Sequence, residues 1–223
     1  MLVFPVIHHL DRETSTEQAL LIRKLGAGGV FFISHAGEDD QVLTVATDVK
    51  VFAPEFKVGI NLLASSALFA CEKAKEASLD MVWVDAPGVR SDSISAPALA
   101  LAEFVKQNPS IQLFASVAFK YQPEDIRPSL AAVKAKQLGF IPTTSGPATG
   151  VKPPMSKISQ MSFATKALLA VASGMTPENI ARFAPYISHA FVSTGISKDE
   201  YHVDPDRLIE FLNAARGVAQ GAR

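Results

Sequence analysis

Cysteine is all but missing from this chain: Cys71 is the only one in 223 residues. A lone thiol forms no internal disulfide and no thiolate cluster, which fits a reducing compartment. Its setting in a helix-like run reads as a small core residue. Charge is scarce too, at 19% of residues, and it balances: 21 Lys and Arg against 22 Asp and Glu give a formal net charge of -1. Such a chain neither draws in phosphate backbones nor clings to an anionic membrane. Nucleic acid and membrane are therefore not expected as partners. No apolar run approaches the ~20 residues that span a bilayer. The opening "MLVFPVIHHLDRE" lacks a basic start and a cleavage site, so a cytoplasmic protein is expected. Walker loop, dinucleotide fingerprint, glycine-flanked nucleophilic serine and HExxH spacing are all absent. Nucleotide hydrolysis and hydride transfer lose their support, and neither a cofactor nor a metal is expected.

What is abundant is apolar sequence, 48% of the chain, in short runs that alternate with longer helical patterns. Eight runs read as strands: residues 2–9, 28–35, 57–63, 80–87, 111–120, 138–145, 168–174 and 189–196. The spacing predicts helices over 15–27, with Ser15 as cap, and over 65–78, 128–138, 176–187 and 204–219. Weaker patterns cover 95–108 and 154–166. Continuous rather than alternating apolar strands are those of a parallel sheet covered by helices. Eight β/α pairs in one chain predict a single (β/α)8 TIM barrel occupying residues 1–223. The segment "SGPATGVKPP" lies between a strand and its helix, so it reads as a βα loop and not a domain boundary.

In such a barrel the C-terminal strand ends build the shared pocket, and the polar residues of this sequence fall there. His8 ends the first strand, His35 the second, Asn61 the third, Asp85 the fourth and Lys120 the fifth. Thr144 and Ser145 end the sixth, Ser173 and Gly174 the seventh, Thr194 and Gly195 the eighth. Residues two apart share a face, which turns Gly59 and Asn61 inward and pairs Trp83 with Asp85. The same parity turns Ser116, Ala118 and Lys120 inward, and it leaves Phe119 without a simple place, so an irregularity is expected there. Small residues closing strands seven and eight let backbone amides approach a ligand. A helix start at Thr176-Pro177 adds unpaired N–H groups, and together these suit a phosphate.

Taken in order, "FPVIHHL", "VGINLL", "SVAFK", "TTSGPATG", "VASGMTPEN", "AFVSTGISKD" and "VDPDRL" resemble the BtpA-like family of barrels. They resemble more distantly the ribulose-phosphate-binding barrels such as phosphoribosylanthranilate isomerase. The matching positions are His8, Asn61, Lys120, the turn 145–150 and the turn 172–174. Ser116 stands where that family tends to have aspartate, Ala172 replaces a glycine, and "LDRETS" replaces a P-L-P-G-like loop. The resemblance implies a barrel from a group linked partly to photosystem assembly and partly to sugar-phosphate or nucleoside-related metabolism.

The expected function is an enzyme, an isomerase or lyase that moves a proton on a phosphorylated sugar or ribosyl compound. Asp85, His8 and Lys120 are the candidate catalytic groups. Asn61, His35, Thr144 and Ser145 would hold substrate, and Ser173, Gly174, Thr194 and Gly195 the phosphate. Two alternatives stand beside it: a non-catalytic assembly or stability factor, and a metal-dependent epimerase using His8, His35 and Asp85. Small barrels often dimerise, and a homo-dimer is left open.

Overall fold

A computed structural model describes residues 1–221, with side chains through residue 217. Residues 222 and 223 of the expected domain lie outside the described residues. Eight parallel strands close into a barrel in chain order. They are β1 (Leu2–His8), β2 (Gly29–Ile33), β3 (Lys57–Asn61), β4 (Met81–Val84), β5 (Gln112–Ser116), β6 (Ile141–Ser145), β7 (Ala170–Ala172) and β8 (His189–Val192). Closure comes from β8 pairing with β1, with Phe4 opposite Phe191. The fold is therefore the (β/α)8 TIM barrel that the alternation of runs predicts.

Eight helices cover the ring: α1 (Arg12–Lys24), α2 (Asp39–Phe52), α3 (Ala67–Glu76), α4 (Ala96–Gln107), α5 (Pro128–Gln137), α6 (Met155–Thr165), α7 (Pro177–Phe183) and α8 (Pro205–Gly221). Helix α1 begins a turn earlier than the Ser15 cap predicts. Asp11 caps it, accepting the Thr14 amide at 2.7 Å, while Ser15 is buried and its hydroxyl bonds to His9 Nδ1 at 2.9 Å. His9 itself leaves the mouth and braces α1 to α2, with Nε2 at 3.2 Å from Gln41 Oε1. Cys71 is buried, and burial pushes its thiol up to about 12, which leaves it inert. No helix among the described residues is long and apolar enough to cross a membrane.

Two apolar layers result from the strand alternation. Outward residues such as Val30, Phe32, Val58, Ile60 and Leu113 pack under the helices. Inward residues are strongly aromatic: Phe4, Phe31, Trp83, Phe114 and Phe191 belong to one cluster inside the ring. Phe31 lies 4.7 Å from Phe191 and 5.6 Å from Phe114, centroid to centroid. Gly59 faces this plug, and a Cβ there would run into the Phe31 ring. At the N-terminal end, His189 stacks on Phe4 at 5.7 Å, and burial depresses its imidazole to about 4. Asp80, also at that end, accepts Lys50 at 2.8 Å and the Val58 amide at 2.9 Å. That end is thus a structural floor, in which Gln112 Oε1, at the start of β5, is buried without a hydrogen-bond partner.

Gly59→Ala is expected to destabilise the barrel by about 1–3 kcal/mol through overpacking. At this chain length that lowers Tm by about 2–4 °C per kcal/mol. Adding Phe31→Leu should restore part of the loss in thermal melts, because the smaller side chain vacates the space the new methyl enters.

Candidate active site

The C-terminal strand ends enclose a cavity of about 300 Å³. His8, His35, Asp85 and Lys120 all line it, together with Ser173, Gly174 and Thr194. Barrel order sets Asp85, after β4, across the ring from Thr194, after β8. Asn61 does not reach the cavity itself. Its Nδ2 donates to Asp85 Oδ1 at 3.3 Å, so it acts on the carboxylate from behind.

The charges at this mouth are pulled toward neutrality. Burial raises the Asp85 carboxyl above the ordinary carboxylate range, against the opposing pulls of Asn61, Lys120 and His35. Burial lowers the His8 imidazole, helped by His35 and Lys120 and opposed by Glu200. The His8 and His35 rings meet edge to face at 5.1 Å, and His8 Nδ1 is buried without a hydrogen-bond partner. An acid whose ionised form is disfavoured and an imidazole kept neutral are two groups suited to exchanging a proton near neutral pH.

The stretch that leads to Lys120 breaks the strand alternation. Ser116 points inward as parity predicts, and its hydroxyl accepts from Trp83 Nε1 at 2.9 Å. Ala118 then takes a left-handed φ of 46°. The phase slips by one, and Phe119 rather than Ala118 faces the cavity. The Ala118 carbonyl accepts from Thr144 Oγ1 at 3.1 Å and from Lys157 Nζ at 2.5 Å. Lys157 also donates to the Ser145 carbonyl at 2.9 Å, and burial brings its ammonium down to about 8. Ser145 Oγ accepts the Lys120 amide at 2.8 Å and donates to the Gly146 carbonyl. Gln122 bridges the same turn, donating to the carbonyls of Asp85 at 2.6 Å and Ser116 at 3.0 Å.

Thr144 and Ser145 do not line this cavity, and Ser145 lines a neighbouring one with Lys120 and Lys157. Alternation along β6 turns Thr144 to the helix side, and the Ser145 hydroxyl is consumed by backbone. Both shape the loop that carries Lys120.

The anion cradle also differs from its sequence rationale. At Gly174, φ is 69°, and a Cβ would strike the backbone of Val151 and Lys152 in the loop after β6. At Gly195 a Cβ would strike the Met175 carbonyl, and Gly195 does not line the cavity. Both glycines make room for neighbouring loops. The amides of Ser173, Gly174, Thr194 and Gly195 nevertheless donate to no protein acceptor among the described residues. The start of α7, expected to present free N–H groups, is already occupied. Asn179 Oδ1 accepts the Thr176 amide at 3.0 Å, and Glu178 sits in the first turn, its carboxyl held at about 2, chiefly by Arg207. The free amides are those of the loops, not of the helix.

Several lining residues were not among the site residues expected from sequence, although Thr149 belongs to the turn 145–150 that carries the resemblance. Thr149 accepts Lys120 Nζ at 2.8 Å, and Tyr121 holds its ring 5.5 Å from that ammonium. Glu200 and Lys198, from the hairpin closed by the Ser197–Val203 bridge, line an adjoining cavity with His8 and His35. Adjacency to Lys120 was the available signal for Tyr121; nothing marks Glu200 in the sequence. Among the described residues no three His, Cys, Asp or Glu side chains converge closely enough to hold a metal ion. The metal-dependent alternative therefore gains no support from His8, His35 and Asp85.

Neither a protein-family model nor a curated protein matches the sequence, and membership of the BtpA-like family is not shown. The barrel superposes on 3-hexulose-6-phosphate synthase with a TM-score of 0.74 at 14% identity, covering 96% of this chain and 99% of that one. It superposes on phosphoribosylanthranilate isomerase from Thermotoga maritima at 0.69 and 17%, covering 97% and 100%. Another phosphoribosylanthranilate isomerase structure, in complex with reduced 1-(o-carboxyphenylamino)-1-deoxyribulose 5-phosphate, gives 0.67 and 16%, with the same coverage. Likeness at this identity establishes the shared barrel.

Asp85→Asn is expected to stabilise the fold at neutral pH. A raised folded pKa means the folded state holds its proton more tightly than the unfolded chain does. The stability tied to this group is thus present below the ordinary value of 3.8 and lost as pH rises through the folded value. The variant should melt above the wild type at pH 7, and the difference should vanish below about pH 4. A variant melting at or below the wild type at pH 7 would contradict burial of the carboxylate.

Proposed function

We propose that this chain is an isomerase or lyase acting on a phosphorylated small molecule, a sugar or ribosyl phosphate, by proton transfer beside a carbonyl or imine. The observation that carries this reading is the mouth itself, where a carboxyl and an imidazole of converging proton affinity face unbonded amides across one cavity. Amides without protein acceptors, at the ends of β7 and β8, suit a phosphate's oxygens. The neighbours whose names carry phosphorylated sugars support the same class of ligand. Asp85 takes a proton from the carbon beside the carbonyl, and His8 exchanges one at the oxygen. The Lys120 ammonium steadies the negative charge that develops between these events. Asn61 orients Asp85, and burial, helped by His35, favours the neutral form of His8.

His8 sets the acid side of the working range. Burial lowers its pKa from 6.5 and so favours the neutral imidazole, and the acid limb of the rate profile should lie below that value.

Proton transfer leaves a direct trace in deuterated water. Incubation with phosphorylated aldoses, ketoses and ribosyl compounds should show solvent deuterium entering the carbon beside the carbonyl of the true substrate, read by NMR. Asp85→Asn should slow that exchange by about 10²–10⁴-fold while phosphate binding persists. A ligand at a hundred times its Kd should stabilise the fold by about 2.7 kcal/mol. Exchange unaltered by Asp85→Asn, or no phosphorylated compound raising Tm, would overturn the reading.

A further inference from the structure

Lys157 is a lysine without a counter-ion. It stands in the first turn of α6, half-buried, and no ion pair among the described residues includes it. Its Nζ donates instead to two backbone carbonyls, those of Ala118 at 2.5 Å and Ser145 at 2.9 Å. An ammonium has three protons to place and finds two acceptors here, whereas a neutral amine has two N–H groups and keeps both bonds. Deprotonation therefore costs this nitrogen no hydrogen bond to the protein. Burial favours the same change, bringing the group down to about 8.

The side chain also lines a cavity of about 410 Å³ beside the mouth. The loop after β5 divides the two, since Phe119, Lys120 and Tyr121 line both. Glu124 and Asp125 are on the wall of this second cavity. Asp125 spends its oxygens on the amides of Ser91 and Arg127, at 2.8 and 3.0 Å, and Glu124 forms no ion pair with Lys157. Lys120 turns its Nζ to Thr149 at 2.8 Å, and the Tyr121 hydroxyl meets the same threonine at 3.4 Å. None of these groups holds the proton on Lys157. A desolvated amine with a lone pair to give, next to room for a small molecule, is a nucleophile.

The geometry points to Lys157 as a modification site, apart from the groups proposed for catalysis, that takes the acyl group of a small acyl phosphate. Its nitrogen lone pair attacks the acyl carbon, and an N–C bond forms. The C–O bond to the phosphate breaks, inorganic phosphate leaves with that electron pair, and the surplus proton on nitrogen passes to water. The resulting amide is uncharged and keeps one N–H, so either Ala118 or Ser145 loses its Lys157 donor. Acylation thus loosens the tie between the loops after β5 and β6, the first of which carries Lys120. Nothing in this chemistry depends on the reaction at the mouth.

Incubation of the intact protein with acetyl phosphate tests the site, with acetylation at each lysine followed by peptide-mapping mass spectrometry. Lys106, whose side chain is 79% exposed, is the internal reference. At about pH 7.5, Lys157 should be acetylated about ten-fold faster than Lys106, because its larger neutral fraction outweighs the weaker nucleophilicity of a less basic amine. Between about pH 7 and pH 9 its rate should rise about ten-fold and then level off, whereas an ordinary lysine keeps accelerating beyond about pH 10. Acetylation of Lys157 no faster than that of Lys106, or a Lys157 rate still climbing at about pH 10, overturns the assignment.

Discussion

The contact between the Phe31 ring and the bare backbone of Gly59 sets the geometry of everything above it. Small barrels are filled by layers of side chains from alternate strands, and here large rings do the filling. Phe31 also packs against Phe4, Trp83, Phe114 and Phe191, so it has nowhere to retreat, and strand β3 must yield the volume. Because these rings seal the lower barrel, the cavity begins at Trp83 and Phe191. The polar strand ends are thereby confined to a shallow mouth with an apolar bottom. That low-dielectric bottom raises Asp85 and depresses His8 by withholding water from their charged forms.

A second constraint acts on the loop after β5. Left to regular alternation, Lys120 would follow Ser116 and Ala118 on one face, and Phe119 would turn into the helix layer. The left-handed turn at Ala118 brings Phe119 to the cavity instead, while Lys120 still lines it. It survives because Thr144, Lys157 and Gln122 satisfy the carbonyls that the turn exposes. Residues that never touch the cavity thus decide which side chains do. Lys157 holds its ammonium between two carbonyls despite a burial that lowers its proton affinity.

Much of this was legible from composition and period. Continuous apolar runs gave the parallel strands, and parity placed Gly59, Asn61, Trp83 and Asp85 on the inner face, because β3 and β4 run regularly. The same rule failed at Ala118, since a backbone reversal leaves no mark in a period-two pattern; only the crowding of Phe119 hinted at it. Thr144 looked like a site residue because polar groups at strand ends look alike in sequence, and only alternation along β6 sends it outward. Gly174 and Gly195 read as openings for a ligand, yet what approaches them is protein backbone from a loop distant in sequence. Helix α1 starts at Asp11 because a carboxylate three residues before Thr14 reaches its amide, a competitor to Ser15 that capping preference alone does not rank.

Strain and unmet hydrogen bonding recur at the mouth of the barrel, although Gln112 Oε1 at the opposite end is also buried without a partner. Among the described residues, six other than glycine hold a positive φ: Ser78, Ala118, Tyr121, Lys166, Ala167 and Ser173. Ser78, Lys166 and Ala167 follow the ends of α3 and α6, where a left-handed residue terminates a helix. Ala118, Tyr121 and Ser173 terminate no helix, and all three belong to the loops around the mouth. The buried, unpartnered Nδ1 of His8 and the unbonded amides after β7 and β8 are at that same end. A barrel selected for stability alone gains nothing from gathering such costs on one face, whereas a binding site supplies the missing partners when its ligand arrives. Fold likeness at 14–17% identity does not require this asymmetry, so the site, and not the barrel, carries the functional argument.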